Sequence, residues 1–203
     1  MIISILNPKG GSGKSTLAVN LARSLQMDGE RVLIGDLDKQ GTVSTWRSVA
    51  PDADFPPVVF VGERVLELPN INGFDFIILD GLAQQSPINT KAVTISDVVL
   101  CPVAPSVGDL WALRPFLEEI PKRRALLVLN RATRTTFTES VIDALPAFGV
   151  TVLDVQIRQR TAYVEAMADG QTVFETRDRK AQAEIENLKN QITQWLSATY
   201  PAL

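Results

Sequence analysis

Residues Met1-Ile-Ile-Ser-Ile-Leu-Asn-Pro-Lys-Gly-Gly-Ser-Gly-Lys-Ser-Thr16 decide how the rest of the chain reads. Ile2 to Leu6 is a short apolar, largely β-branched run, which predicts a buried strand. A glycine-rich turn follows, and Ser15 to Leu25 has the pattern of a helix. Strand, glycine loop, Gly-Lys-Ser and helix in that order make a phosphate-binding loop. The glycines let backbone N–H groups converge on phosphate oxygens, and the helix N-terminus adds partial positive charge. Lys14 is expected to reach the β- and γ-phosphates, and the Ser15 hydroxyl to hold Mg²⁺. The loop residues from Lys9 through Gly10, Gly11, Ser12, Gly13, Lys14 and Ser15 to Thr16 are the expected nucleotide-binding set.

Working outward, apolar runs recur at 2–6, 32–34, 58–61, 74–79, 98–103, 125–129 and 150–155. Most are separated by stretches long enough for helices. Leu17, Leu21 and Leu25 repeat every four residues, and Gly29 is placed to end that helix. Near-continuous apolar strands alternating with helices predict an α/β fold with a mainly parallel, twisted sheet covered on both faces. No linker, repeat or low-complexity tract interrupts the sequence, so one P-loop NTPase domain spanning 1–203 is expected. In such a sheet ligands bind beyond the C-terminal strand ends.

Two further strands finish in acids at that end. Phe76-Ile-Ile-Leu-Asp80 is a Walker B pattern, with Asp80 expected at the cation. Val32-Leu-Ile-Gly-Asp36-Leu-Asp38 carries the second pair. Asn130-Arg131, after the strand 125–129, stands where a base can be read, since an Asn amide offers both a donor and an acceptor to adenine. The Asp of a guanine-selecting Asn-Lys-x-Asp signature is missing, which favours ATP over GTP.

Composition bounds the chemistry. The chain has no histidine and one cysteine, Cys101, which excludes His-based acid–base catalysis, an internal disulfide and a multi-cysteine metal site. Cys101 lies in Val98-Val-Leu-Cys-Pro102 and reads as a core thiol. The net charge of −3 argues against overall attraction to nucleic acid but leaves room for a local basic patch. The first strand begins at once, so no signal peptide is expected, and no run approaches the ~18 apolar residues of a membrane span. A cytoplasmic protein is the expectation.

In the loop, Pro8 stands where the standard motif has its first glycine, and an additional lysine, Lys9, precedes Gly10. This resembles the deviant Walker A motif of the ParA/MinD family of ATPases. Asp36-Leu37-Asp38-Lys39-Gln40-Gly41 resembles that family's Asp-x-Asp-Pro-Gln-Gly switch, with Lys39 in place of proline. Thr45-Trp46, Pro102-Val-Ala-Pro-Ser106 and Gln159-Arg160…Tyr163-Val164…Asp169-Gly170…Val173-Phe174-Glu175 are similar to the small, ParF-like branch of ParA partition ATPases. The resemblance covers nearly the whole chain. It implies an ATP-sandwiched homodimer in which Lys9 reaches the partner's nucleotide. It further implies that Asp38 orients the attacking water, that Asp36 supports the Mg²⁺ shell and that Pro102 flanks the adenine pocket. It also implies ATP-dependent binding to non-specific DNA, hydrolysis stimulated by a ParB-like or other cargo-bound partner, and a location on the nucleoid.

The DNA surface is the least defined part. Lys122-Arg-Arg124 and Arg131…Arg134 are separated by a strand that puts them about 15–20 Å apart at opposite sheet edges. Arg158, Arg160, Arg177, Arg179 and Lys180 are the better candidates, diluted by Glu165, Asp169, Glu175 and Asp178, and solvated helix-face charge is the alternative for each. Two other readings stand beside the leading one. A metabolic ligase resembling dethiobiotin synthetase would need an acceptor pocket near the γ-phosphate. A MinD-like membrane ATPase would use the amphipathic segment 180–195, whose few lysines suit sheet packing better than a membrane surface. The cluster-ligating cysteines of a nitrogenase-reductase-like electron carrier are missing.

Overall fold

The computed structural model describes residues 1–70 and 72–201. All seven apolar runs become strands of one sheet: β1 (Ile2–Ile5), β2 (Val32–Asp36), β3 (Val58–Phe60), β4 (Phe76–Asp80), β5 (Val98–Val103), β6 (Ala125–Ala132) and β7 (Thr151–Arg158). Their order is β3-β2-β4-β1-β5-β6-β7, and every pairing is parallel. Between and after them run α1 (Lys14–Met27), α2 (Thr42–Val49), α3 (Pro87–Ile95), α4 (Val107–Glu118), α5 (Thr136–Ala144), α6 (Thr161–Ala168) and α7 (Arg179–Thr199).

Strand alternation feeds two cores, one on each face of the sheet. Ile3, Ile5 and Ile34 join Leu17, Leu21 and Leu25 of α1, Trp46 of α2, Tyr163 of α6 and Ile185, Leu188 and Ile192 of α7. Ile2, Leu6 and Leu33 join Val93 of α3, Leu113 and Phe116 of α4 and Val141 of α5. Strands covered on both faces have no polar side to alternate toward, which is why they read as continuous apolar runs.

The C-terminal amphipathic stripe packs on the sheet, as its charge pattern predicts. Ile185, Leu188 and Ile192 are at most 1% exposed, and burying each contributes about 1.5–3 kcal/mol. Lys189 of α7 pairs with Asp28 at the end of α1, so the helix is also tied to the loop-bearing helix. Its apolar face is therefore inside the protein. Among the described residues no helix is long and apolar enough to cross a membrane.

β1 lies at the centre, flanked by β4 and β5. The loops after β1, β2, β4, β5, β6 and β7 therefore open at one end of the sheet and converge on the glycine loop. The two basic clusters sit at the two ends of β6, with Lys122–Arg124 before it and Arg131 and Arg134 at its far end, and do not form one patch.

Candidate functional site

The glycine loop closes onto α1 with its two lysines in opposite settings. Lys14 is 6% exposed, and its Nζ donates to the Lys9 carbonyl at 3.2 Å. Burial draws its ammonium below the usual lysine range, partly offset by Asp80, Asp38 and Asp109. Lys9 lies on the rim, its side chain 40% exposed, and its Nζ donates to Asp109 at 2.6 Å and to Ser106 at 3.0 Å. Asp109 also accepts from the Ser106 hydroxyl, so a small polar cluster at the start of α4 holds Lys9 within its own chain. Gly108 leaves this cluster room, since a Cβ there would stand 3.0 Å from the Lys9 ammonium.

Two depressions meet at Gly11. One, about 250 Å³, is lined by Gly13, Lys14, Ser15, Thr16, Asp38, Thr42, Asp80, Ala83 and Met167. The other, about 410 Å³, is lined by Lys9, Gly10, Ala104, Pro105, Ser106, Asp109, Arg131, Thr133 and Gln159. The first has the lysine, the hydroxyl and the acids that phosphates and a cation require. The second has a lining of mixed polar and apolar groups, Arg131, Thr133 and Gln159 beside Ala104 and Pro105, of the kind a nucleoside needs. Thr42, Ala83, Asp109, Thr133, Gln159 and Met167 were not legible as a set, because they come from separate stretches of the chain, three from loops and three from helices α2, α4 and α6, and none belongs to a phosphate motif.

The acids differ from one another. Asp80 is 2% exposed; desolvation drives its carboxyl up to about 7, against the pull of the Ser15 hydroxyl and Lys14 and with repulsion from Asp36 and Asp38. Its Oδ1 is buried without a hydrogen-bond partner. A buried acceptor left unpaired beside a serine hydroxyl is the arrangement a divalent cation would complete. Asp38 is half-buried, and its Oδ1 accepts from the Gln40 N–H at 2.9 Å, so it caps its own loop from the wall of the phosphate pocket. Asp36, expected in the Mg²⁺ shell, is placed otherwise. It is fully buried; its Oδ2 accepts from the Ser44 N–H and hydroxyl at 2.9 and 2.7 Å, and its Oδ1 from the Asp38 N–H at 3.1 Å. Both oxygens thus fix the switch loop to the first turn of α2. Among the described residues no cluster of three acidic or cysteine side chains surrounds a metal position. Ser15 and Asp80 are the protein donors that fit Mg²⁺.

Three residues expected at the base have different surroundings. Pro102 lies inside β5, buried, with its carbonyl accepting from the Asn7 amide at 2.6 Å; the segment reaches the cleft through Ala104, Pro105 and Ser106 instead. Asn130 is 4% exposed and donates from Nδ2 to the Ser12 carbonyl at 2.7 Å. Arg131, the one non-glycine with positive φ among the described residues, at 54°, lines the cleft and donates to the Gly11 carbonyl at 2.7 Å. Both side chains brace the glycine loop from β6. Cys101 is buried, and desolvation pushes its thiol far above the usual range.

Of the basic candidates, Arg177, Arg179 and Lys180 are exposed at the start of α7, and Arg158 is half-buried. Arg160 belongs elsewhere: its guanidinium bonds Glu184 at 2.6 Å and lies 3.6 Å from Asp178, joining β7 and α6 to α7. Tyr163 completes the network through its hydroxyl, 3.3 Å from Glu184. An Arg160→Ala variant is expected to lose about 1–3 kcal/mol of stability, because a largely buried Glu184 loses its partner, with duplex-DNA affinity unchanged. Denaturant unfolding and a DNA titration of the same variant check both halves. Weakened DNA binding at unchanged stability would return Arg160 to the DNA-facing set.

Comparison with known proteins assigns this geometry to a family. The model of the CobQ/CobB/MinD/ParA nucleotide binding domain matches residues 3–173. The chain is 31% identical to the maintenance of carboxysome distribution protein A of Halothiobacillus neapolitanus, covering 94% of this chain and 95% of that one. It is 28% identical to the chromosome-partitioning ATPase Soj of Thermus thermophilus, over 84% of this chain and 86% of that one. Among solved structures, a plasmid-partition-type protein of Borrelia burgdorferi B31 bound to AMPPNP superposes with a TM-score of 0.77. That match covers 95% of this chain and 98% of the other at 18% identity, which speaks for the fold. The chain belongs to the CobQ/CobB/MinD/ParA family of nucleotide-binding domains.

Proposed function

We infer that the protein is an ATPase switch of the ParA type: ATP brings two copies together, the pair binds duplex DNA without sequence preference, and hydrolysis releases it. The observation that carries this reading is the division of labour between the two lysines of one loop. Lys14 is turned inward to the phosphate pocket, while Lys9 lies on the rim with its ammonium on Asp109 and Ser106. To serve a second copy, Lys9 exchanges those two partners for phosphate oxygens of the nucleotide across the interface. A cation delivered in that way neutralises charge that develops during phosphoryl transfer.

The remaining chemistry is assigned to carboxylates and backbone, since the chain has no histidine. Asp38, with Oδ1 held by its own loop, offers its other oxygen to the attacking water. The loop N–H groups and the α1 terminus hold the phosphates, and Arg131, Thr133, Gln159 and Pro105 surround the nucleoside. Mg²⁺, held by Ser15 and Asp80, would supply charge neutralisation on the phosphates when bound. Arg158, Arg177, Arg179 and Lys180 are the DNA-facing candidates, and two copies of a weak patch bind far more tightly than one. Relatives named for carboxysome distribution and for chromosome partitioning support a cargo-positioning role, with a cargo-bound protein stimulating turnover.

Binding to non-specific duplex DNA with ADP, with ATP, and with ATP plus Lys9→Ala, across a salt series, tests the reading. ATP is expected to tighten binding by at least about tenfold, with affinity falling steeply as salt rises through counterion release. Lys9→Ala is expected to lose the ATP-dependent gain. Equal, weak binding in every nucleotide state would sink the DNA-positioning function.

A further inference from the structure

The segments Thr45-Trp46 and Asp169 to Glu175 lie far apart in sequence and meet in space. Trp46 is 2% exposed, and its indole N–H donates to the Gln171 carbonyl at 2.9 Å. Its ring leans on Phe55, with centroids 5.3 Å apart. Gly170 has φ of 65°, and a Cβ there would stand 2.9 Å from the Val49 Cβ and 3.0 Å from the Ala50 nitrogen. The last turn of α2 therefore lies directly on the connection between α6 and α7, with no room for a side chain between them.

A second helix reaches the same turn. Asn20 of α1 accepts from the Val173 N–H at 2.9 Å and donates to the Thr16 carbonyl at 2.7 Å. The turn itself is stiff: Thr172 and Glu175 form a reciprocal capping box, and Gln182 Nε2 donates to the Val173 and Thr176 carbonyls. Both helices that grip this turn begin at the phosphate pocket, α1 with Ser15 and Thr16 and α2 with Thr42 just beyond Asp38. Asp36 holds the first turn of α2 through Ser44, so α2 is fastened to the switch loop at its start and, through Trp46, to the turn further along. Directly after the gripped turn come the exposed Arg177, Arg179 and Lys180.

We propose that Trp46 is a positioning residue that couples the nucleotide switch to the basic edge at Arg177, Arg179 and Lys180, by tying α2 to the 170–176 turn. A shift of the switch loop toward a γ-phosphate carries α2 with it, and the indole hydrogen bond passes that shift to the turn and the start of α7. The DNA consequence rests on the function proposed above, whereas the coupling itself does not.

The test is backbone hydrogen exchange of residues 171–180 in the full chain, with Mg·ADP and with a slowly hydrolysed Mg·ATP analogue. Wild type is expected to change protection there by at least about fivefold between the two nucleotides, the low end of ordinary site-to-site coupling. Trp46→Phe keeps a ring against Phe55 but removes the N–H. It is expected to retain nucleotide affinity within about threefold while the difference at 171–180 falls below about twofold. Gly170→Ala forces the same contact apart from the other side and is expected to give the same loss. Trp195→Phe, on the same core but edge-on to Tyr200, is expected to keep the response, which a merely structural role for Trp46 would not predict. A wild-type segment indifferent to nucleotide, or a Trp46→Phe variant with the full response, overturns the coupling. A responding segment without ATP-dependent DNA binding supports the coupling and sinks only the DNA function.

Discussion

A Gly13→Ala variant is expected to fold and to bind ATP at least about 100-fold more weakly than wild type, a loss of about 2.7 kcal/mol. Gly13 has φ of 88°, outside the range an L side chain adopts without strain, and forcing alanine there costs about 1–2 kcal/mol. The added Cβ would also stand 2.3 Å from Asn130 Nδ2. That nitrogen donates to the Ser12 carbonyl, so relieving the clash strips a buried hydrogen bond from the loop, at about 1–3 kcal/mol. Both costs fall on the segment whose N–H groups must converge on phosphate, and little falls on the two cores. Gly10→Ala makes the matched comparison: its Cβ would meet only the Ala83 Cβ at 3.8 Å, ordinary contact, and affinity is expected to stay within about threefold. Isothermal titration with Mg·ATP, alongside thermal unfolding without nucleotide, separates binding from folding. Equal damage from the two alanines would mean that the brace from Asn130 does not shape the loop.

This brace also marks the limit of what the sequence discloses. The strands were legible because a sheet covered on both faces demands unbroken apolar runs, and α1 because leucines recur down one side. β7 runs three residues further than its apolar run, through Gln156, Ile157 and Arg158. At the sheet edge one side of that strand is wetter, and alternation replaces continuity. A motif names the residues at a strand end but not the direction of their lone pairs. Asp36 and Asp80 look equivalent as acids after apolar strands, yet one caps α2 and the other faces Ser15. Asn130 likewise offers an amide to whatever lies above β6, and here that is the loop carbonyl of Ser12 rather than open cleft. Asp109 carries no signal at all, because its meaning depends on Lys9, 100 residues earlier, arriving beside it.

Asp80→Asn is expected to make the nucleotide-free protein more stable at pH 8 while removing its response to Mg²⁺. Desolvation raises the Asp80 pKa from 3.8 to about 7, so the folded state holds a proton that the unfolded state has already released. The stability associated with the neutral carboxyl is fully present below about pH 4 and lost as pH rises through 7. Above that, keeping a charged carboxylate buried costs up to about 4 kcal/mol. Asparagine has the same shape and no charge, so the variant escapes this cost, for an expected rise in Tm of about 5–10 °C at pH 8 and little at pH 4. The same substitution weakens the anionic donor beside Ser15. Wild type with saturating Mg·ATP is expected to gain about 2.7 kcal/mol at a hundredfold excess over Kd, whereas the variant gains the same with or without Mg²⁺. Thermal melts over pH 4–8, with ATP alone and with Mg·ATP, read both effects in one series. A variant no more stable than wild type at pH 8 would mean that the buried Asp80 charge is already compensated without a cation. The predicted trade, stability gained where the cation site is lost, is what distinguishes an acid kept for binding from one kept for folding.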